Sequence, residues 1–234
     1  MRYIFATMLL MTSIVYNLVA SPKKDGKLYP KLNKYCKERS MEFDSIDATR
    51  KIELQELATY LVEQRDAKKT SNIMFVCTSN SRRSHMSQVW LQTAAAYYKV
   101  PNIYTFSGGT EQTRVNEHAI SALRRAGFEI YSNNQAENPL QYVRIAEQSN
   151  PWAIFSKKYT DSTNPKTNFA AIMVCTEADK ACPLVDGADI RIAIPYQDPK
   201  AFDKSTLRDA KYDERCRQIA REMFYVMSLV SKRR

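Results

Sequence analysis

The sequence has no block of five or six consecutive basic residues, no zinc-finger spacing and no RNA-binding signature, although Lys and Arg number 35 against 25 Asp and Glu. Without those features the formal charge of +10 does not point to nucleic acid. It reads as a solvated surface biased towards anionic partners such as phosphate-bearing molecules or an anionic membrane. Internal repeats and low-complexity tracts are also missing. A hydrophobic share of 44% with 26% charged residues excludes a wholly disordered chain and a multi-span membrane protein. Cysteine is scarce: the five present are odd in number and are not spaced like the disulfide framework of a small secreted domain, so some are expected to be free thiols. The two histidines lie in no metal-ligand pattern, and neither a metal nor a cofactor is expected.

At 234 residues the chain is long enough for one well-cored domain plus an extension. The first twenty residues carry one charge, Arg2, followed by an apolar run over 3–15 and the small-residue ending Leu18-Val19-Ala20. This predicts a signal peptide cleaved after Ala20 and export to a periplasmic or extracellular space. The alternative is an N-terminal membrane anchor of about 18 residues, at the low edge of what spans a bilayer. Thr7, Thr12, Ser13 and Asn17 weaken that alternative. Residues 21–26 are polar and breaker-rich and read as a linker. From 28 to 69 there is no strand-like alternation, whereas Ile52, Leu54, Leu57, Ala58, Leu61 and Val62 fall near helical spacing behind a candidate N-cap, Asp47. The expected division is 1–20 leader, 21–70 linker and helical extension, and 71–234 catalytic domain.

At 73–76 the pattern changes to a short apolar run, Ile-Met-Phe-Val, suited to a strand buried on both faces. A polar loop follows, then a helix over 84–98 with Met86, Val89, Trp90, Thr93, Ala94 and Tyr97 on one side. The alternation continues with a strand at 103–106, a turn at 107–110, and a helix over 117–126 stopped by Gly127. Segments 141–146 and 152–156 pattern as a hairpin, with Asn164-Pro165 breaking the chain afterwards. Strands at 170–174 and 190–194 and a helix over 212–230 close the chain. This predicts an α/β fold with a parallel sheet covered on both faces, in which ligands bind beyond the carboxyl ends of the strands. Cys77 sits at such an end.

The stretch Cys77-Thr78-Ser79-Asn80-Ser81-Arg82-Arg83-Ser84 therefore joins a buried strand to a helix start. Successive backbone N–H groups in such a loop converge, and the helix adds unsatisfied N–H groups and the positive end of its dipole. Thr78, Ser79, Asn80, Ser81, Arg82 and Ser84 are the candidate cradle for a tetrahedral anion. Arg83, with a planar guanidinium able to grip two oxygens, is the clamp. A thiol in such a field ionises more readily than a free one, which makes Cys77 the candidate nucleophile. The plain alternative is an inert cysteine at a strand end.

Those residues carry a resemblance. Val76-Cys77-Thr78-x-Asn80-Ser81-x-Arg83-Ser84, Ser107-Gly108-Gly109-Thr110 and Asp198-Pro199 together resemble the low-molecular-weight protein tyrosine phosphatase superfamily, which includes the thioredoxin-coupled arsenate reductases. The likeness covers roughly residues 72–234. It implies a three-layer α/β/α fold with a central four-stranded parallel sheet, flavodoxin-like and phosphotyrosine phosphatase I-like, here with an N-terminal helical extension. It also implies Cys77 as nucleophile, Arg83 as oxyanion binder and Asp198 as the acid that protonates the leaving oxygen. Ser84 resembles the serine whose hydroxyl donates to the thiolate, with a plain helix N-cap as its alternative reading.

The spacing Cys175-x6-Cys182 resembles the resolving pair of the arsenate reductases, in which Cys175 would attack Cys77 and Cys182 would then take over Cys175. The resemblance thus implies a phosphatase acting on a phosphorylated protein or small phosphomonoester, by default phosphotyrosine, or a reductase served by a thioredoxin-like partner. A non-catalytic oxyanion-binding or redox-sensing module is the third reading, and the oligomeric state stays open. The chain departs from the family pattern at Arg82, where a second cysteine is usual, at Ser79, where a glycine is usual, and at His85, read as a supporting or surface residue. The 140–164 segment is longer and more strand-like than the family's helix. Cys36 and Cys216 read as structural, and His118 is assigned no role.

Overall fold

The computed structural model describes residues 27–132, 134–181 and 185–232. The expected leader, the linker at 21–26 and Cys182 lie outside the described residues.

Two helices open the described chain. Helix α1 (Pro30–Arg39) begins on a proline whose missing N–H would have no helical partner there anyway, and it buries Leu32 and Cys36. Helix α2 (Ala48–Asp66) starts at Asp47, whose carboxylate accepts the Arg50 backbone N–H at 2.8 Å, as the sequence predicts. It buries Leu54, Leu57, Ala58, Tyr60 and Leu61. Ile52 does not join that face and is 68% exposed, because two residues before Leu54 a helix points nearly the opposite way. The buried residues of α1 and α2 belong to the same hydrophobic core as the sheet.

Strand β1 (Ser71–Cys77) leads through the loop into α3 (Arg83–Tyr97), and β2 (Ile103–Gly109) leads to α4 (Glu117–Ala126). Helix α4 is capped at both ends: the Asn116 side chain accepts from the N–H groups of His118 and Ala119, and Gly127 closes it at φ 113°. Strands β3 (Glu129–Ser132), β4 (Gln141–Arg144) and β5 (Trp152–Ile154) follow, then β6 (Phe169–Met173), α5 (Thr176–Ala181), β7 (Ala188–Ala193) and α6 (Arg208–Lys232).

The main sheet has the order β2-β1-β6-β7 with every pairing parallel. Helix α3 packs on β1 and β2, α2 on β1 and β7, and α6 against α1, α2, α3 and α4. This is the flavodoxin-like α/β fold expected from the sequence, with the N-terminal helices in place. The central strand β1 ends at Cys77, so the loop opens beyond the carboxyl edge of the sheet, where such folds bind ligands. Among the described residues no helix is long and apolar enough to cross a membrane.

Two local expectations need correction. The 107–110 turn is the end of β2 instead, with Gly109 opposite Cys77. A side chain on Gly108 would run into the Tyr159 backbone, and one on Gly109 would meet the Thr78 carbonyl oxygen at 2.6 Å and the Asn80 nitrogen at 2.8 Å. These glycines serve close approach of neighbouring backbone. The 141–154 hairpin forms, but β3 adds to it, giving an antiparallel sheet of order β3-β4-β5. In β3 only Ile130 is buried, too little alternation for sequence patterning to register.

Candidate active site

The loop is shaped from outside by hydrogen bonds to its carbonyls. Those of Cys77, Thr78 and Ser81 accept from the N–H groups of Thr110, Glu111 and Asn116 at 3.2, 2.9 and 2.9 Å. The Ser79 carbonyl accepts from the Thr113 and Ser156 hydroxyls at 2.8 and 3.2 Å, and the Asn80 carbonyl bonds to His85 Nε2 at 2.9 Å. Across a trans peptide the C=O and the next N–H point in opposite directions. Five successive carbonyls turned towards the surrounding shell therefore turn the N–H groups of residues 78–82 the other way, towards the loop's interior. This is the geometry of an anion-binding nest closed by a helix N-terminus.

Asn80 is the loop's internal brace. It takes the left-handed conformation at φ 42°, a region asparagine tolerates better than most residues. Ser79, which stands where the family usually has glycine, is not among the positive-φ residues, so that departure introduces no strain. The fully buried Asn80 amide donates to Ser84 Oγ at 2.9 Å, and its oxygen accepts the Lys157 N–H at 2.8 Å. Because Ser84 Oγ accepts from Asn80, its own proton is available to the Cys77 sulfur, 3.1 Å away.

His85 lies wholly inside the protein, under the loop, rather than on the surface. Burial, reinforced by the Lys157 charge and opposed by the bond to the Asn80 carbonyl, pushes its pKa down to about 3. The ring is neutral at physiological pH: Nε2–H donates to Asn80, and Nδ1, 3.1 Å from Ser107 Oγ, accepts that hydroxyl. Its place on the first turn of α3, beside the loop, was the sequence signal for this role. The shell residues Thr113 and Ser156 had no such signal, and Ser107 stood out only as the first residue of the Ser107-Gly108-Gly109-Thr110 element.

The predicted cradle divides by direction. Ser81 Oγ donates to the Arg114 carbonyl at 2.8 Å, so Asn80 and Ser81 support the loop with their side chains and offer an anion their backbone. Arg82 also leaves the role assigned to it, because its guanidinium turns outward to Tyr212. Its Nε donates to the Tyr212 hydroxyl at 2.8 Å and its Nη2 to Asp203 at 3.2 Å, while Tyr212 donates to Asp203 at 2.6 Å. Two hydrogen-bonding partners outside the loop outweigh a place within it.

Arg83 and Asp198, 115 residues apart in sequence, meet directly. Arg83 Nη2 donates to Asp198 Oδ2 at 2.8 Å, and Nη1 donates to the Tyr196 carbonyl at 2.9 Å. Asp198 also caps the short 3₁₀ turn Pro199–Phe202 by accepting the Lys200 N–H at 3.0 Å, and it lies 3.9 Å from Arg82 Nε. Cys175 is buried at the end of β6, its sulfur 3.5 Å from the Thr78 hydroxyl and accepting the Ala178 N–H at 3.3 Å. Cys36 and Cys216 are buried elsewhere, and burial pushes both thiols up to about 12, which fits structural roles. Among the described residues no group of three His, Cys, Asp or Glu is placed to hold a metal.

No family model matches the chain. Among curated proteins it is similar to arsenate reductase 2 of Staphylococcus epidermidis, 30% identical over 113 residues, a stretch that spans 48% of this chain and 66% of that relative. Among solved structures, a YwlE mutant from Bacillus subtilis is 15% identical with a TM-score of 0.46, over 68% of this chain and 97% of that one. A low molecular weight protein tyrosine phosphatase from the same organism is 14% identical with a TM-score of 0.44, over 69% of this chain and 98% of that one. The sequence likeness to arsenate reductases, over about half of this chain and just under two thirds of the relative, supports the resemblance that the loop motifs carry to the superfamily joining low-molecular-weight protein tyrosine phosphatases with arsenate reductases.

Proposed function

We propose that the chain is a cysteine-dependent hydrolase of phosphomonoesters, with phosphotyrosine or a small aryl phosphate as substrate. The observation that carries this reading is the convergence, at one end of β1, of Cys77 beside the Ser84 hydroxyl with Arg83 bonded to Asp198. In the first step the Cys77 sulfur attacks phosphorus, the bond to the leaving oxygen breaks, and Asp198 supplies the proton to that oxygen. Backbone N–H groups of the loop and Arg83 hold the equatorial oxygens. In the second step water attacks the phosphocysteine, Asp198 takes the water's proton, and the sulfur leaves as thiolate stabilised by the Ser84 hydroxyl. An arriving dianion competes with Asp198 for Arg83, which releases the carboxyl group to face the leaving oxygen.

A second reading, arsenate reductase, is favoured by the place of Cys175 beside Thr78 and by the name of the curated relative. Here Cys77 attacks arsenate and water leaves. Cys175 then attacks the Cys77 sulfur, so that a disulfide forms as arsenic(V) becomes arsenic(III). Cys182 exchanges into that disulfide, and a thioredoxin-like dithiol reduces it. Export, expected from the leader, would favour the hydrolase, because an oxidising compartment tends to lock Cys175 to Cys182.

The test is turnover of p-nitrophenyl phosphate, and of arsenate with thioredoxin and its reductase, by the wild type, Cys77→Ser and Cys175→Ser/Cys182→Ser. The hydrolase reading expects phosphate release that only Cys77→Ser abolishes. Arsenite release that needs all three cysteines, without phosphate release, would replace it with the second reading. Folded, reduced protein inert to both substrates would leave an oxyanion-binding or redox-sensing module.

A further inference from the structure

The N-terminal helices lie outside the part of the chain that resembles the family, yet one of their residues reaches the segment carrying Asp198. Arg50, in the first turn of α2, spreads its guanidinium over three acceptors. Nε donates to Glu222 of α6 at 2.9 Å, Nη1 to Glu53 at 2.6 Å and Nη2 to the Pro195 carbonyl at 3.2 Å. The same guanidinium stacks over the Tyr196 ring, 4.8 Å from its centre. The pair is well buried, with the Arg50 side chain 11% exposed and that of Glu222 2%.

From that contact the chain runs directly into the site. Pro195 has no N–H, so its carbonyl is its one backbone hydrogen-bonding group, and Arg50 holds it. Tyr196 donates its N–H to the Val174 carbonyl at 3.1 Å and offers its own carbonyl to Arg83. Asp198 follows two residues later. A lysine could pair with Glu222 but has no planar fork with which to engage Glu222, Glu53 and the Pro195 carbonyl together. Buried ion pairs add little net stability over apolar pairs of the same volume, whereas their directional bonds orient what they touch.

We propose that Arg50 is a positioning residue for Asp198, through which the N-terminal extension sets the aim of the leaving-group acid. The inference rests on the hydrolase reading above. Its test compares kcat for phenyl phosphate, a poor leaving group that depends on the acid, with kcat for p-nitrophenyl phosphate, a good one that depends on it less. Asp198→Asn is expected to slow phenyl phosphate at least about tenfold more than p-nitrophenyl phosphate. Arg50→Met combined with Glu222→Met removes both charges, so that neither is left buried and unpaired. It is expected to shift the same ratio about fivefold in the same direction, and to add nothing to the ratio in the Asp198→Asn background, as expected when two residues act through one group. Arg50→Lys, which keeps the charge and loses the three-way contact, is expected to hold the wild-type melting temperature and still shift the ratio.

A wild-type ratio in both Arg50 variants, or an equal added shift in the Asp198→Asn background, overturns the proposal while leaving the hydrolase intact. A ratio that Asp198→Asn itself does not move overturns the acid assignment, and the proposal with it.

Discussion

The two sides of the site are built differently. The side that would hold the anion is tied by hydrogen bonds among backbone, amide, hydroxyl and neutral imidazole groups, with Asn80, Ser84 and His85 fully buried. The side that carries the acid is tied by charge: Asp198 to Arg83 and, more distantly, Arg82, with Asp203 bonded to Arg82 and Tyr212. Its carboxylates keep 30% and 29% side-chain exposure. Buried neutral networks resist rearrangement, whereas partly exposed ion pairs are weak and yield to a competing ion. On the hydrolase reading, the comparison teaches that the proposed cradle is preformed and the proposed acid is held by bonds that an incoming dianion can exchange.

The largest expected effect breaks the charged side. Asp198→Asn should lower kcat for phenyl phosphate by about 10²–10⁴-fold, with KM changed far less, as befits loss of a proton donor. Steady-state kinetics would settle it, and a rise in KM at constant kcat would mean that Asp198 only binds. Breaking the neutral side should appear first as lost stability. Asn80→Ala removes two side-chain hydrogen bonds and puts alanine, which tolerates the left-handed region less well than asparagine, at φ 42°, for about 2–3 kcal/mol by urea unfolding. A loss below about 0.5 kcal/mol would show that the loop is not braced from this residue.

His85 sharpens the comparison through pH. Its folded pKa of about 3 lies below the unfolded value near 6.5, so between those limits the unfolded chain binds a proton that the folded chain does not. Stability from this group is complete above about pH 6.5 and falls as pH drops towards 3, by roughly 1.4 kcal/mol per unit. His85→Gln should flatten that dependence, measured as urea midpoints across the acid range; identical slopes in both proteins would remove His85 from the account. The smallest effect belongs to Arg82, whose partners are partly exposed. Arg82→Gln should lower kcat about threefold, and added salt should narrow the difference from wild type. A loss on the scale of Asp198→Asn would mean that Arg82 contacts the anion after all.

How much could be read in advance followed the range of each interaction. The β1–loop–α3 unit was legible because an apolar run, five polar-loop residues and a helical stripe lie within one stretch of chain. Helix α4 was legible from its spacing and its Gly127 stop, which acts on its own neighbours, whereas the Asn116 cap emerged only in the structure. Asp198 needed the family resemblance, because an Asp-Pro pair in a turn looks the same whether or not an arginine faces it. The outward turn of Arg82 was hidden, since it depends on Tyr212, 130 residues away.

By itself, the sequence determined the elements of the main sheet and its flanking helices, their alternation and the strand end at which a nucleophilic loop would sit, because hydrophobic periodicity and capping are written in adjacent residues. Only the tertiary structure decided which way each charged side chain faces: Arg83 to Asp198, Arg82 to Tyr212, and Arg50 from the extension to Pro195, 145 residues on. The physical reason is that a long cationic side chain has no local preference among distant acceptors. Its partner is whatever the packed sheet and helices bring within about 3 Å of its donors.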